Sequence, residues 1–476
     1  MLPVGGGAHV RLRRDVSRTD RKDVAAFHWN LMETSYMRWH MNDILLIPAT
    51  LWRKARKYSR KLWVRVMFMG ILSLIALGIT QIIETFVPDS MASRMTGASA
   101  DRLLNIISSA MLSVTIFSMT VMVSVYRSSA SQWTPRVHQL IMQDSTTQKT
   151  LAAFIGAWVY ALIAIILRET SVFRDEHALI IFWLTVLVLA YVVWSLVRWV
   201  LHLQTFGSLL HTTRQVEDIT KERFQERLKT PCLGANPLHG AVPNAAWSIE
   251  SDQSGYIQHI YPEGLNAVAE RYDVRLYLPQ PIGYYIFLNE PLLWVEGDVT
   301  EDDREEFLSL VRDHVNVIDL RDYDQDPRFG LVVMGEIASK ALSPGINDPG
   351  TAIDIITRVG RILSSYSNEA DENSESREGG PELDRLWVPP LKPADLLDDG
   401  FGSLTRDGAQ LYEVQFRLQA TLAGLMRHPD KGLRDAAFDY AEMALRRAVE
   451  AMDFAPDRER LLASVDERLR VRVTQT

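Results

Sequence analysis

The stretch "SSAMLSVTIFSMTVMVSVYR", residues 108 to 127, is apolar enough to cross a bilayer yet carries hydroxyls at almost every turn. At 100° per residue, Ser109, Ser113, Thr120, Ser124 and Arg127 fall within about 60° of one another, with Ser108, Thr115 and Ser118 on a different side. Two chemistries suit such a stripe. Small and hydroxyl residues let helices approach closely and hydrogen-bond across the contact, or back to their own carbonyls. Alternatively the stripe lines a polar path between assembled subunits, with Arg127 at its inner mouth acting on anions or as a gate. At the outer end of the preceding apolar run, Glu84 is either an interfacial side chain, like Gln81, or a member of a ring that draws cations to the outer mouth.

A second group lies in "ALSPGINDPGTAIDII". Asn347 or Asp348 can cap a helix whose first position is Pro349. Free amides at that helix start could hold an anionic group, which Asp348 opposes unless a metal intervenes. A cation held by Asp348 and Asp354 would remove the conflict. In "DYDQDPRFG", Asp322, Asp324 and Asp326 alternate as in a calcium loop, but Pro327 stands where an EF-hand needs glycine and Val333 where it needs glutamate. A solvated acidic turn is expected there. His259 in "YIQHI" reads as a packed or surface strand residue. The chain has no HExxH, P-loop or GxSxG, so no catalytic residue, metal ligand set or cofactor is assigned.

These residues must be placed by a chain of 476 residues, long enough for two or three units. Long apolar runs concentrate between residues 62 and 203 and give four expected spans: Trp63 to Phe86, Leu103 to Tyr126, Leu151 to Leu167 and Ala178 to Leu201. Arg53, Lys54, Arg56, Lys57, Arg60, Lys61 and Arg65 crowd the approach to the first span, whereas only Arg94 and Arg102 stand between it and the second. By the positive-inside rule both termini are cytoplasmic. The same basic run would hold anionic headgroups, at roughly 1 kcal/mol per residue. A net charge of -8 argues against nucleic acid as a partner. The single cysteine, Cys232, permits no intramolecular disulfide and no cysteine metal cage.

Beyond residue 203 the chain turns polar. "HTTRQVEDITKERFQERL" reads as a charged helix leading away from the membrane, followed by short strands and helices of a small α+β unit. Helices are expected at "YPEGLNAVAERYD" and "EDDREEFLSLVRDHV", and strands at "SGYIQHI", "VRLYLP", "YYIFL" and "PLLWVEG". Residues 367 to 384, "SNEADENSESREGGPELD", have the composition of a disordered insertion, and residues 406 to 470 the periodicity of three helices. The expected organisation is a disordered extension over 1–45, with Met41 an alternative start, a four-helix transmembrane domain over 46–205, a cytosolic α+β domain over 206–365, an acidic linker over 366–400 and a C-terminal helical region over 401–476.

Four separated blocks, "YRSSASQWTPRVHQLIMQD", "TLAAFIGAWVYALIAIILR", "SGYIQHIYPEGL" and "DPRFGLVVMGEIASKALSPGINDPGTA", resemble a bacterial family of predicted membrane proteins, domain of unknown function 2254. The resemblance covers most of the chain after about residue 45. It implies a multi-span N-terminal region with a soluble C-terminal one, and it carries no activity, substrate or catalytic residue. The expectation is therefore a multi-pass protein of the bacterial inner membrane. It forms a homo-oligomeric channel or transport-like pore gated by its cytosolic domain, or it is a membrane-anchored sensor or scaffold whose cytosolic domain binds an ion, a small ligand or a protein.

Overall fold

A computed structural model of the protein describes residues 62–83, 97–142, 144–170, 178–371 and 381–475. Contacts divide the chain into Met1–Val64 and Arg65–Thr476. Of the first unit, only Leu62–Val64, the start of helix α1 (Leu62–Ile83), is described. The second unit holds the remaining described residues.

Its apolar part holds α2 (Gly97–Gln132), α4 (Ser145–Glu169) and α5 (Ala178–Leu203). The short α3 (Pro135–Met142) lies between the first two of these. Among the described residues, three stretches are long and apolar enough to cross a membrane: Ala98–Gln132, Pro135–Glu169 and Leu179–Leu203. The three helices pack on one another. On α2 the packed seam is Ala100, Leu104, Ile107, Met111, Thr115 and Ser118, all buried and spaced three or four apart as one helix face requires. Phe154, Ala157, Tyr160, Ala161 and Ala164 of α4 share that core, and the alanines permit close approach. Tyr160 and Thr185 hydrogen-bond at 3.0 Å, which satisfies two polar groups that lipid could not. Phe117 and Leu187 instead point outward, as lipid-facing residues do.

The polar half begins with α6 (Leu209–Lys229), the expected charged helix. It then forms two cores. The first is a sheet core. Strands β1 (Ala235–Pro237), β2 (Trp247–Glu250), β4 (Arg275–Tyr277), β6 (Pro291–Glu296) and β8 (Leu383–Val388) make a five-stranded sheet in the order β1-β8-β4-β6-β2. β8 runs parallel to both β1 and β4, and the other pairs are antiparallel. Strands β3 (Gly255–Ile260), β5 (Tyr285–Ile286) and β7 (Val315–Ile318) form a second, antiparallel sheet in the order β5-β3-β7. Alternate residues such as Ile249, Leu276, Leu293, Val295 and Leu386 turn inward and meet Leu265 of α7 (Pro262–Arg271) and Phe307 of α8 (Arg304–Asp313). The segment expected as a linker thus carries β8, while residues 372–380 lie outside the described part.

The second core is helical. It gathers α6, α9 (Phe329–Ala341), α10 (Pro349–Leu363), α11 (Pro393–Asp407), α12 (Tyr412–Leu425), α13 (Lys431–Ala451), α14 (Ala455–Ser464) and α15 (Glu467–Thr474). The C-terminal helices therefore share one core with α6, α9 and α10 rather than standing as a separate bundle. Glycines make the crossings close: a Cβ at Gly335 would stand 3.1 Å from the carbonyls of Asp399 and Gly400, and one at Gly400 would stand 2.6 Å from Val359.

Between the two cores Arg227 pairs with Glu369, whose side chain is fully buried and also accepts the amides of Cys232 and Leu391. The acidic turn at 322–326 is only partly solvated, which corrects the expectation there. Asp322 accepts the Asp324 amide, but Asp326 is buried, takes the amides of Arg328 and Phe329 at 3.0 Å, and pairs with Arg321 at 2.7 Å. Burial pushes its carboxyl up against the pull of Arg321 and those amides.

Candidate functional site

The helix carrying the hydroxyl stripe is longer than the span expected at its centre. It begins at Gly97 and continues to Gln132. Continuing the 100° projection along it adds Arg102, Asn105 and Ser131 to the side that holds Ser109, Ser113, Thr120, Ser124 and Arg127. All eight are exposed, and they fall within an arc of about 100° nearly opposite the packed seam. Thr115 and Ser118, which the sequence put on another side, are in that seam. Among the described residues, then, the helix packs through one face and offers its polar face outward.

Four of the polar groups on that outward face bond to carbonyls one turn back. Asn105 donates to the Asp101 carbonyl at 2.9 Å, Ser109 to the Asn105 carbonyl at 2.8 Å, Ser113 to the Ser109 carbonyl at 3.3 Å and Thr120 to the Ile116 carbonyl at 2.9 Å. Back-bonding of this kind lowers the cost of a hydroxyl in an apolar medium. Ile106, Ile116 and Val123 share the arc with the hydroxyls and are themselves exposed.

At the end of α2 nearest the polar half, the chain folds back through α3. Trp133, Val137 and Ile141 enter the helical core of the polar half, so the end of α2 is anchored in it. Arg136 pairs with Glu336 of α9, and Lys340 Nζ donates to the Trp133 carbonyl at 2.7 Å. Ser129 and His138 lie 2.7 Å apart, and the Tyr126 hydroxyl donates to the Met142 carbonyl at 3.3 Å. Asp144 caps α4 through the Thr147 amide and meets His202 of α5 at 3.0 Å. On the far side Glu217 of α6 pairs with Arg358 and Arg361 of α10. The apolar helices are thus joined to the polar half both by the α3 fold-back and by α6. Two of the sequence blocks quoted above, Tyr126 to Asp144 and Asp326 to Ala352, are the ones that meet here.

The other sequence candidates are placed elsewhere. Asn347 stands exposed with a φ of 51°, in the turn between α9 and α10, and its amide donates to Ser343 at 2.8 Å. Asp348 caps α10, accepting the Thr351 amide at 3.1 Å and its hydroxyl at 2.5 Å. Those bonds hold its carboxyl below the usual range. Asp354 is paired with Arg358 at 2.7 Å, one turn further on. Among the described residues no group of three or more His, Cys, Asp or Glu side chains could hold a metal. His259 packs its ring 4.5 Å from that of Tyr261. Glu84 lies outside the described residues.

Sequence reasoning missed Arg102 because it began the span at about Leu103, and Asn105 because it read the stripe only from residue 108. The small residues of "GASADR" were the available signal for an earlier start.

The family described as "Predicted membrane protein (DUF2254)" matches residues 59–424, more than three quarters of the chain. The chain belongs to this family. Uncharacterised proteins of Mycobacterium tuberculosis (strain H37Rv) and Mycobacterium bovis are each 26% identical to it over 339 residues, which is 68% of this chain and 63% of theirs. A protein of a second M. tuberculosis strain is 27% identical over 341 residues. The match thus spans less than two thirds of these relatives. No solved structure matches. In this family member the match takes in all three long apolar helices, the α3 junction and the sheet core.

Proposed function

We propose that the protein is an oligomeric, multi-pass protein of the bacterial inner membrane in which copies of α2 line a polar path. In this reading α1 is a fourth span, both termini are cytoplasmic, and the polar half is a cytosolic domain that gates the path. Four helices per chain are too few for a roomy pore in one subunit, so the path lies between subunits. The observation that carries the reading is the placement of the stripe, exposed on α2 opposite the seam that packs against α4 and α5. Its route to gating is the fold-back, because Arg136, Glu336, Lys340 and Trp133 tie the end of α2 to α9.

Thiol labelling tests this arrangement in the native assembly. Cys232 is the only cysteine and is buried, so a Cys232→Ser background carries one introduced thiol at a time. Ser113→Cys and Thr120→Cys should react with a membrane-impermeant reagent, and Met111→Cys in the packed seam should not. Reaction at Ser131→Cys alone, with silence at 113 and 120, would place the stripe in lipid or in a dry interface.

One observation favours a second reading. The hydroxyls of Ser109, Ser113 and Thr120 bond to carbonyls of their own helix and so need no water. The spans would then be an anchor, and the cytosolic half a sensor or scaffold with its ligand at Asn347, Asp348 and Asp354. Asn347→Ala should abolish ligand or partner binding in that case and leave any flux untouched.

A further inference from the structure

We infer that the path along α2 selects anions, an inference that rests on the pore reading above. Arg102 and Arg127 are 25 positions apart on one helix, about 38 Å at 1.5 Å per residue, which brackets about 30 Å of hydrocarbon. Both share the arc of the hydroxyls and both are exposed. Neither pairs with a carboxylate of the described residues. The only acidic residue of α2 is Asp101, and its carboxylate is turned to Arg168 of α4, with Nη2 3.1 Å from Oδ2. Asp101 therefore belongs to the contact between the spans, and among the described residues the two arginines of the stripe have no carboxylate partner.

Between the arginines the arc holds only neutral groups, the polar side chains from Asn105 to Ser124 and the exposed apolar Ile106, Ile116 and Val123. A hydroxyl can turn either its proton or a lone pair toward a passing ion, so these residues do not choose its sign. The arginines do. Symmetric assembly turns each into a ring, one at either mouth, and rings of Arg or Lys are the arrangement that admits anions and repels cations. Arginine suits the role because it stays charged at every accessible pH.

The test is the reversal potential of the purified full-length protein in a planar bilayer under a potassium chloride gradient. The parent should reverse toward the chloride equilibrium potential. Arg102→Gln with Arg127→Gln should move the reversal toward zero, Arg127→Glu should move it to the potassium side, and Arg127→Lys, which keeps the charge, should hold the parent value. A parent current that reverses toward potassium, or a double glutamine variant that reverses where the parent does, overturns anion selection and leaves the pore reading standing. Absence of any current overturns the pore reading and this inference with it.

Discussion

Asp348 shows how much of a residue's role its neighbours decide. Its carboxylate oxygens accept from the backbone and side chain of Thr351, so its chemistry is spent on starting α10. Asp348→Ala should cost about 1 kcal/mol, the usual loss for a helix cap, while Asp348→Asn, which keeps one acceptor oxygen but not the charge, should cost less. The sign with pH follows from the lowered carboxyl. A folded value below the unfolded one, which is about 3.9 for an aspartate, gives stabilisation that is complete above that unfolded value. It is lost as pH falls through the folded one. Thermal unfolding of the detergent-solubilised protein should show the parent losing its advantage over Asp348→Asn in that acid range; a difference unchanged down to the lowest pH would show that the ionised cap adds nothing. The cap itself was legible from "NDPGT". The burial of Asp326 was not, because Arg321 and the start of α9 satisfy its charge through tertiary placement that no spacing reveals.

At the scale of elements, apolar length and periodicity located α2, α4, α5, α7, α8 and β3, since each depends on local pattern. The ends of α2 escaped, because Gly97–Asp101 and Arg127–Gln132 are polar enough to look like loops and are helical by continuation. The pairing of β8 with β1 and β4 escaped for a different reason: these strands are parallel and lie far apart in sequence, so no turn signal joins them. The helix junction was equally hidden. Its α3 is amphipathic, with Val137 and Ile141 buried in a core built mainly from residues 200 positions later. Its connection to α9 carries the gating claim. Glu336→Ala, which leaves Arg136 without this partner, should change the open probability of single channels while leaving unit conductance as it is. A change in conductance with unaltered gating would place Glu336 outside the coupling.

For the whole molecule, the polar face of α2 is what the described residues leave unfinished. Its opposite face is closed by α4 and α5, and its end is held in the helical core, so a second copy is the partner the pore reading requires. The particle in mild detergent should therefore have a protein mass that is a multiple of 54.1 kDa by light scattering. A strictly monomeric mass, unchanged in lipid nanodiscs, would remove the path. Composition and the positive-inside rule had indicated a membrane protein with its bulk on one side. They could not indicate which helix face stays open, since that depends on which faces are already packed.

The most direct measurement of the central claim is ionic current across a planar bilayer containing the purified protein, beside a Thr120→Phe variant shown to have the same oligomeric mass. The account predicts current in the parent and its loss in the variant, because the added ring stands on the exposed stripe of α2. Equal current in the two would place the path elsewhere, and silence in the parent across potentials would make the hydroxyl stripe a packing surface.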